Sequence, residues 1–207
     1  MKSRYLGWLC ECTVLLSLGF FTAQIQSAQV IQVDVEHVIH PLTVELVQQA
    51  IKQADEEGAS AVLLRLNTPG GLLSATKEVI QAIVASDVPV IAYVGPSGGR
   101  AASAGFMILV SADVAAMAPG TNTGAAHPVL MGGEMDEVMK AKVSNDAAAS
   151  VRSVTSKRGR NPEVAEKAVL ESKSFTEQEA LDAKLIEYVA ADVQSLLKDL
   201  DGKTIKR

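Results

Sequence analysis

The sequence predicts an α/β domain built on a largely parallel sheet, and three observations carry that expectation. Short apolar runs alternate with stretches of helical spacing along most of the chain. The run Ala61-Val62-Leu63-Leu64-Arg65-Leu66 is nearly all apolar, as suits a parallel strand covered on both faces. The composition is 48% hydrophobic but only 4% aromatic, which suits helices packed closely on a sheet through small side chains. A length of 207 residues accommodates one domain with a real core and an extension.

The elements follow in order. Val30 to Val35 alternates as a strand. Pro41 opens a helix whose apolar face is expected to carry Leu42, Leu46, Val47, Ala50, Ile51 and Ala54, with Gly58 ending it. The strand Ala61–Leu66 leads into the turn Pro69-Gly70-Gly71, and Leu72 to Ala85 is helical by spacing. Pro89 starts a third strand that runs through Val94, and Ser103 begins the next helix. Asp113 to Met117 reads as a fourth strand, and Ala118 to Glu134, rich in Gly, Pro, Thr and Asn, as a long irregular loop. Met135 to Ser156 is alanine-rich and helical, and Asn161-Pro162 starts another helix with proline in its first turn. Thr176 and Glu179 form a capping-box pair. Leu185 to Ala190 reads as a strand, and a last helix carries Leu196, Leu197 and Leu200.

Residues 1–28 have a different character. Lys2 and Arg4 precede an apolar run from Thr13 to Ala23, with Ser27 and Ala28 following. A positive end, a short apolar stretch and small residues at the exit make a secretory signal; an uncleaved N-terminal hydrophobic anchor is the alternative. Residues 29–207 are then the folded domain, exported to a periplasmic or other extracytoplasmic compartment. Cys10 and Cys12 both lie in the leading segment, so the mature domain would depend on no disulfide. A net charge of −5 gives no basic footprint for nucleic acid, and no Cys/His cluster has zinc-ligand spacing. No cofactor or metal is expected.

Ser103 sits in Arg100-Ala101-Ala102-Ser103-Ala104-Gly105, among residues too small to crowd it, where a strand hands over to a helix. An attacking hydroxyl needs such a turn, with a backbone N–H beside it to hold an oxyanion. Asn67-Thr68-Pro69-Gly70-Gly71 follows another apolar strand and can supply a second N–H. A serine also needs a base. His37, His40, His127, Lys140 and Lys142 are the available partners, and a lysine serves only when burial has lowered its pKa by several units. Each has a plainer reading: Ser103 as a small packing residue, Lys142 as a solvated helix residue, and His127 as a loop hydrogen-bonding group.

These motifs, together with Met117-Ala118-Pro119-Gly120-Thr121-Asn122-Thr123-Gly124-Ala125-Ala126-His127-Pro128, resemble the NfeD family. The likeness is to its N-terminal serine protease domain, related to the ClpP and signal peptide peptidase proteases, and covers approximately Val30 to Leu200. It implies a ClpP/crotonase-like spiral of β-β-α units. It also implies Ser103 as nucleophile, the Gly71 and Ala104 amides as the oxyanion hole, and a Ser-Lys dyad. Aligning Gly159-Arg160-Asn161 with the family's equivalent turn puts the dyad lysine at Lys142, with Lys140 off register. His127 stands as an alternative base or a cleft residue. The sequence departs from the family at Lys184, where glycine is frequent, and at Arg207, where the chain ends while many relatives continue into a membrane segment and a small β-barrel.

The function so implied is a serine endopeptidase that cleaves hydrophobic segments of stomatin-like, membrane-associated proteins and forms a homodimer. A catalytically silent module that holds a membrane-protein tail in the same cleft is the main alternative. A crotonase-type acyl-CoA enzyme would give Ser103 no covalent role, and an exported domain would not meet CoA thioesters. A signal peptide peptidase differs by substrate only.

Overall fold

Successive side chains of a strand point to opposite faces, and in this chain both faces are apolar. Val62, Leu64 and Leu66 join one core with Val33, Val90, Ala92 and Val94 beneath the helices. Ala61 and Leu63 join a second with Ile91, Tyr93, Val114 and Leu196. The computed structural model in which these layers are seen describes residues 28–129 and 136–205. The expected leader therefore lies, apart from Ala28, outside the described residues.

The elements run β1 (Val30–Val35), α1 (Pro41–Glu57), β2 (Ala61–Leu66), α2 (Leu73–Ala85), β3 (Val90–Val94), β4 (Arg100–Ala102), α3 (Ala104–Ser111) and β5 (Val114–Met117). They continue through β6 (Asn122–Gly124), α4 (Glu137–Lys157), α5 (Pro162–Leu170), β7 (Ser174–Thr176), α6 (Glu177–Asp182), β8 (Tyr188–Val189) and α7 (Val193–Leu200). Among the described residues, β1-β2-β3-β5-β8 form a parallel sheet in that order, and β4-β6-β7 form a smaller one. β4 and β6 are parallel, and β7 returns antiparallel to β6.

A repeating unit generates this arrangement. β3 is followed by β4 and then α3, and β5 by β6 and then α4. The first two turns are abbreviated versions: after β1, Ile39 bridges Gly71 before α1, and after β2, Thr68 bridges Ala101 before α2. The β-β-α unit therefore recurs along the chain, and each short second strand or bridge lies beyond the C-terminal end of a main-sheet strand. Ligands of parallel sheets bind at that end.

Several expectations need correction. The stretch from Ala118 to Glu134 is not wholly irregular, because Asn122–Gly124 is β6. The strand expected over Leu185–Ala190 is only Tyr188–Val189. The buried face of α1 is Val44, Val47, Ala50 and Ala54, whereas Leu42 and Leu46 are 66% and 46% exposed. The Thr176–Glu179 capping box is present. Lys184 has φ +58°, the left-handed backbone that favours glycine.

Two buried arginines fix the C-terminal end of α4 to the body. Arg158 pairs with Asp113, and both side chains are almost wholly shielded from solvent. Arg160 donates to Glu187 (2.6 and 2.7 Å) and to the carbonyls of Val110 (2.9 Å) and Ala112 (2.7 Å). Buried charges require such full pairing. The N-terminal end of the same helix is different, with residues 136–142 all exposed.

Candidate active site

Ser103 caps α3 with φ +53° and ψ −111°, a region that non-glycine residues rarely occupy. Its amide donates to the Gly124 carbonyl at the end of β6 (2.8 Å), which fixes the turn between β4 and α3. Gly70 (φ +118°) presses against it: a Cβ there would lie 2.8 Å from Ser103 Cβ and 3.3 Å from its hydroxyl oxygen. Only glycine leaves that hydroxyl its space.

Two amides stand beside it. Ala104 is the first residue of α3, where the N–H has no partner within the helix. Gly71 lies opposite Ile39 in a parallel bridge whose bonds are made by its neighbours: the Ile39 amide donates to the Gly70 carbonyl and the Leu72 amide donates to the Ile39 carbonyl. The Gly71 N–H is thereby left on the far side. Among the described residues, neither amide has a backbone acceptor.

Gly71, Ser103 and Ala104 all border one cavity of about 520 Å3. Its other walls are apolar, with Leu72, Leu73 and Met107 from α2 and α3, Pro128 and Val129 from the segment after β6, and Met139 and Val143 from α4. Thr76 also faces it, but its hydroxyl is turned back to the Leu72 carbonyl (2.8 Å). The arrangement can present an apolar peptide segment to a hydroxyl flanked by two N–H donors.

The candidate bases are placed less favourably. Lys142 belongs to the exposed turns of α4, next to Val143 and one turn beyond Met139, and does not itself border the cavity. Lys140 is exposed on the same turns. His127 faces the other way: Ala126 and Pro128 border the cavity, while the His127 Nδ1 lies 2.9 Å from the Val169 carbonyl. His40 caps α1, accepting from the Leu42 amide at Nδ1 (3.2 Å). His37 is exposed, and its carbonyl accepts from the Thr68 hydroxyl (2.6 Å). The structure therefore gathers Ser103, Gly71 and Ala104 and leaves the lysines at the rim. Gly70 and Gly124 were missed as site residues, and the glycine-rich motifs that contain them were their only signal.

The family model for the NfeD1b N-terminal domain matches residues 29–197. The chain belongs to that family. A relative of the NfeD1b domain, the membrane-bound protease PH1510 of Pyrococcus horikoshii, is 34% identical over 195 residues, covering 93% of this chain and 44% of its own length. The membrane protein NfeD1b of Bacillus subtilis is 34% identical over 104 residues, covering 50% and 23%. The chain thus spans less than half the length of the curated relatives it matches.

The NfeD1b fold also matches solved structures at 34% identity. One is a lysine-to-alanine mutant of the 1510-N membrane-bound stomatin-specific protease in complex with a substrate peptide, with a TM-score of 0.80 over 86% of this chain and 82% of that one. Another is a serine-to-alanine mutant of the same protease, with a TM-score of 0.78 over 85% and 86%.

Proposed function

We propose that this domain is a serine endopeptidase of the Ser-Lys type, acting on hydrophobic segments of stomatin-like membrane proteins. The observation that carries the proposal is Ser103 on a left-handed turn, opening onto an apolar cavity between the Gly71 and Ala104 amides. The similar proteases, named for stomatin and studied as serine and lysine mutants, support the substrate class and the dyad.

In this reading the Ser103 hydroxyl attacks the scissile carbonyl as its proton passes to the uncharged Lys142 amine. The Gly71 and Ala104 N–H groups hold the resulting oxyanion. Collapse of the tetrahedral intermediate breaks the C–N bond, and the lysine returns its proton to the leaving amine. Water then attacks the acyl-serine as its proton passes to the Lys142 amine. Collapse of this second tetrahedral intermediate breaks the C–Oγ bond, the lysine returns the proton to Ser103 Oγ, and the peptide acid departs. Lys142 reaches Ser103 once a bound peptide draws the first turns of α4 over the cavity. Catalytic hydrogen bonds are often formed only in the substrate complex. Residues 1–28 export the domain, as a cleaved signal or a retained anchor, and two copies form a homodimer. Among the described residues, no helix is long and apolar enough to cross a membrane.

The exposed position of Lys142 favours one competing reading, in which the cavity holds a hydrophobic tail without cutting it. Labelling with a serine-reactive fluorophosphonate, alongside cleavage of a hydrophobic peptide, separates the two. Labelling and cleavage are expected in the wild type and lost in Ser103→Ala, with cleavage reduced about 100-fold or more in Lys142→Ala and little changed in His127→Ala. Loss in His127→Ala but not in Lys142→Ala would transfer the base role to the histidine. A wild type that binds peptide but never reacts would leave the silent module.

A further inference from the structure

The Gly71 amide can serve an oxyanion only if the Gly70–Gly71 peptide faces one particular way. A trans peptide points its C=O and N–H in opposite directions. The Gly70 carbonyl is bound by the Ile39 amide (2.8 Å), so the Gly71 N–H is directed away from Ile39, on the side of the Ser103 cavity. Glycine peptides rotate readily, and this one is flanked by glycine on both sides. Something must hold it.

Thr68 has the contacts to do so. It is fully buried, and its hydroxyl donates to the His37 carbonyl (2.6 Å) while accepting from the buried Gly70 amide (3.1 Å). Its backbone accepts from Ala102 (3.0 Å) and donates to Arg100 (2.7 Å), either side of the bridge to Ala101 in the strand that carries Ser103. Its methyl group fills the space that a Cβ on Gly105 would need, 2.7 Å away. Pro69 supplies no N–H, so the Gly70 and Gly71 amides are the two donors of this turn. The Thr68 hydroxyl takes up the first, and the second remains for a ligand.

We propose that Thr68 is a positioning residue. Its hydroxyl, clamped between the His37 carbonyl and the Gly70 amide, fixes the Pro69–Gly70 peptide. With the Ile39 bond to the Gly70 carbonyl, this holds the following Gly71 N–H toward the oxyanion site, while the Thr68 backbone couples the turn to the strand leading into Ser103. The inference rests on the peptidase reading above and extends it. Without the hydroxyl, the buried Gly70 N–H and His37 carbonyl each lose a partner, and the turn can relieve this by rotating the glycine peptides.

The test uses Thr68→Val, which keeps the shape and removes the hydroxyl, and Thr68→Ser, which keeps the hydroxyl. Each is assayed on a fluorogenic hydrophobic peptide and titrated with a peptide boronic acid, whose tetrahedral adduct needs the oxyanion donors. Thr68→Val is expected to lower kcat by about ten- to a hundredfold with KM nearly unchanged, and to weaken the boronate by a similar factor. Binding of uncleaved peptide, measured in a Ser103→Ala background, should not move. Thr68→Ser should restore both readouts.

A Thr68→Val protein with wild-type kcat and boronate affinity would overturn the inference alone. So would a loss that Thr68→Ser fails to rescue, or one expressed equally in peptide binding. A wild type inert to both reagents would overturn the peptidase reading and this inference with it. Thermal unfolding checks each variant, and Thr68→Ala replaces the valine variant if that one does not fold.

Discussion

The turn that carries Ser103 and the N-terminal half of α4 border the same cavity yet are built in opposite ways. Around Ser103 the positions are over-determined: its amide is bound to Gly124, Gly70 leaves no room for a side chain, and Thr68 ties two loops to β4. The first turns of α4 are solvent-exposed, and the Lys77–Asp146 ion pair (2.6 Å) joins the middle of that helix to α2. Groups that stabilise developing charge act best when pre-positioned, since reorganising them would consume the stabilisation they offer. A proton acceptor on a helix end can be brought in by the substrate. Under the mechanism proposed above, the oxyanion half of the site is ready before binding and the proton-transfer half is completed by it.

The largest effect short of removing Ser103 itself is expected at Gly70. Gly70→Ala places a methyl group against Ser103 in a backbone conformation that alanine rarely adopts, and should reduce kcat about 100-fold. Unfolding measured in parallel should show a loss of about 1–3 kcal/mol. Retained activity would mean that this turn is less rigid than its contacts indicate.

Arg160→Ala tests the far end of α4. It removes two bonds from the partly exposed Glu187, which keeps the Ala115 amide (2.7 Å), and takes a donor from two carbonyls, and should destabilise the fold by about 1–3 kcal/mol in denaturant titration. Activity per folded molecule should change little. A fall in kcat at unchanged folding would show that the position of α4 reaches the chemistry.

Lys77→Ala removes an exposed ion pair and should cost under about 1 kcal/mol. Its informative readout is KM, which should rise modestly if α4 must close over a bound peptide. The smallest effect lies away from the cavity. Hydrogen bonds from Arg65 hold the Asp34 carboxyl below its usual pKa. The stabilisation is therefore present above the ordinary carboxylate range and is lost as pH falls through the lowered native value. Asp34→Asn should destabilise by under about 1 kcal/mol near neutrality, a difference that disappears in acid, with activity unaffected at any pH.

The main sheet and its helices were legible because their signal is local: β2 and β3 are continuous apolar runs, and Pro41, Gly58 and Asn161-Pro162 mark helix ends. The second sheet was not. Arg100-Ala101-Ala102, Asn122-Thr123-Gly124 and Ser174-Phe175-Thr176 are too short to show a period, and β6 finds β7 across roughly fifty intervening residues. On α1, Val47, Ala50 and Ala54 are buried as expected, but tertiary packing takes Val44 into the core and leaves Leu42 and Leu46 exposed. Ser103 was readable because small neighbours and a strand-to-helix handover are written side by side. The choice of Lys142 over Lys140 came from family resemblance, since two lysines one residue apart on an exposed helix carry no distinguishing pattern. The closeness of Gly70 to Ser103 depends on two β-β-α units meeting, which no local stretch encodes.

The hollow beside Ser103 is several times the size of one that accepts a benzene ring, roughly 150 Å3. A bowl that wide reads greasiness over a stretch and gives little weight to any one letter. A long apolar tract lying across it could settle in more than one register, each exposing a different bond. Under the proposed peptidase activity, a single target would yield a ladder of neighbouring ends, and selectivity would reside in which proteins offer a tract at all.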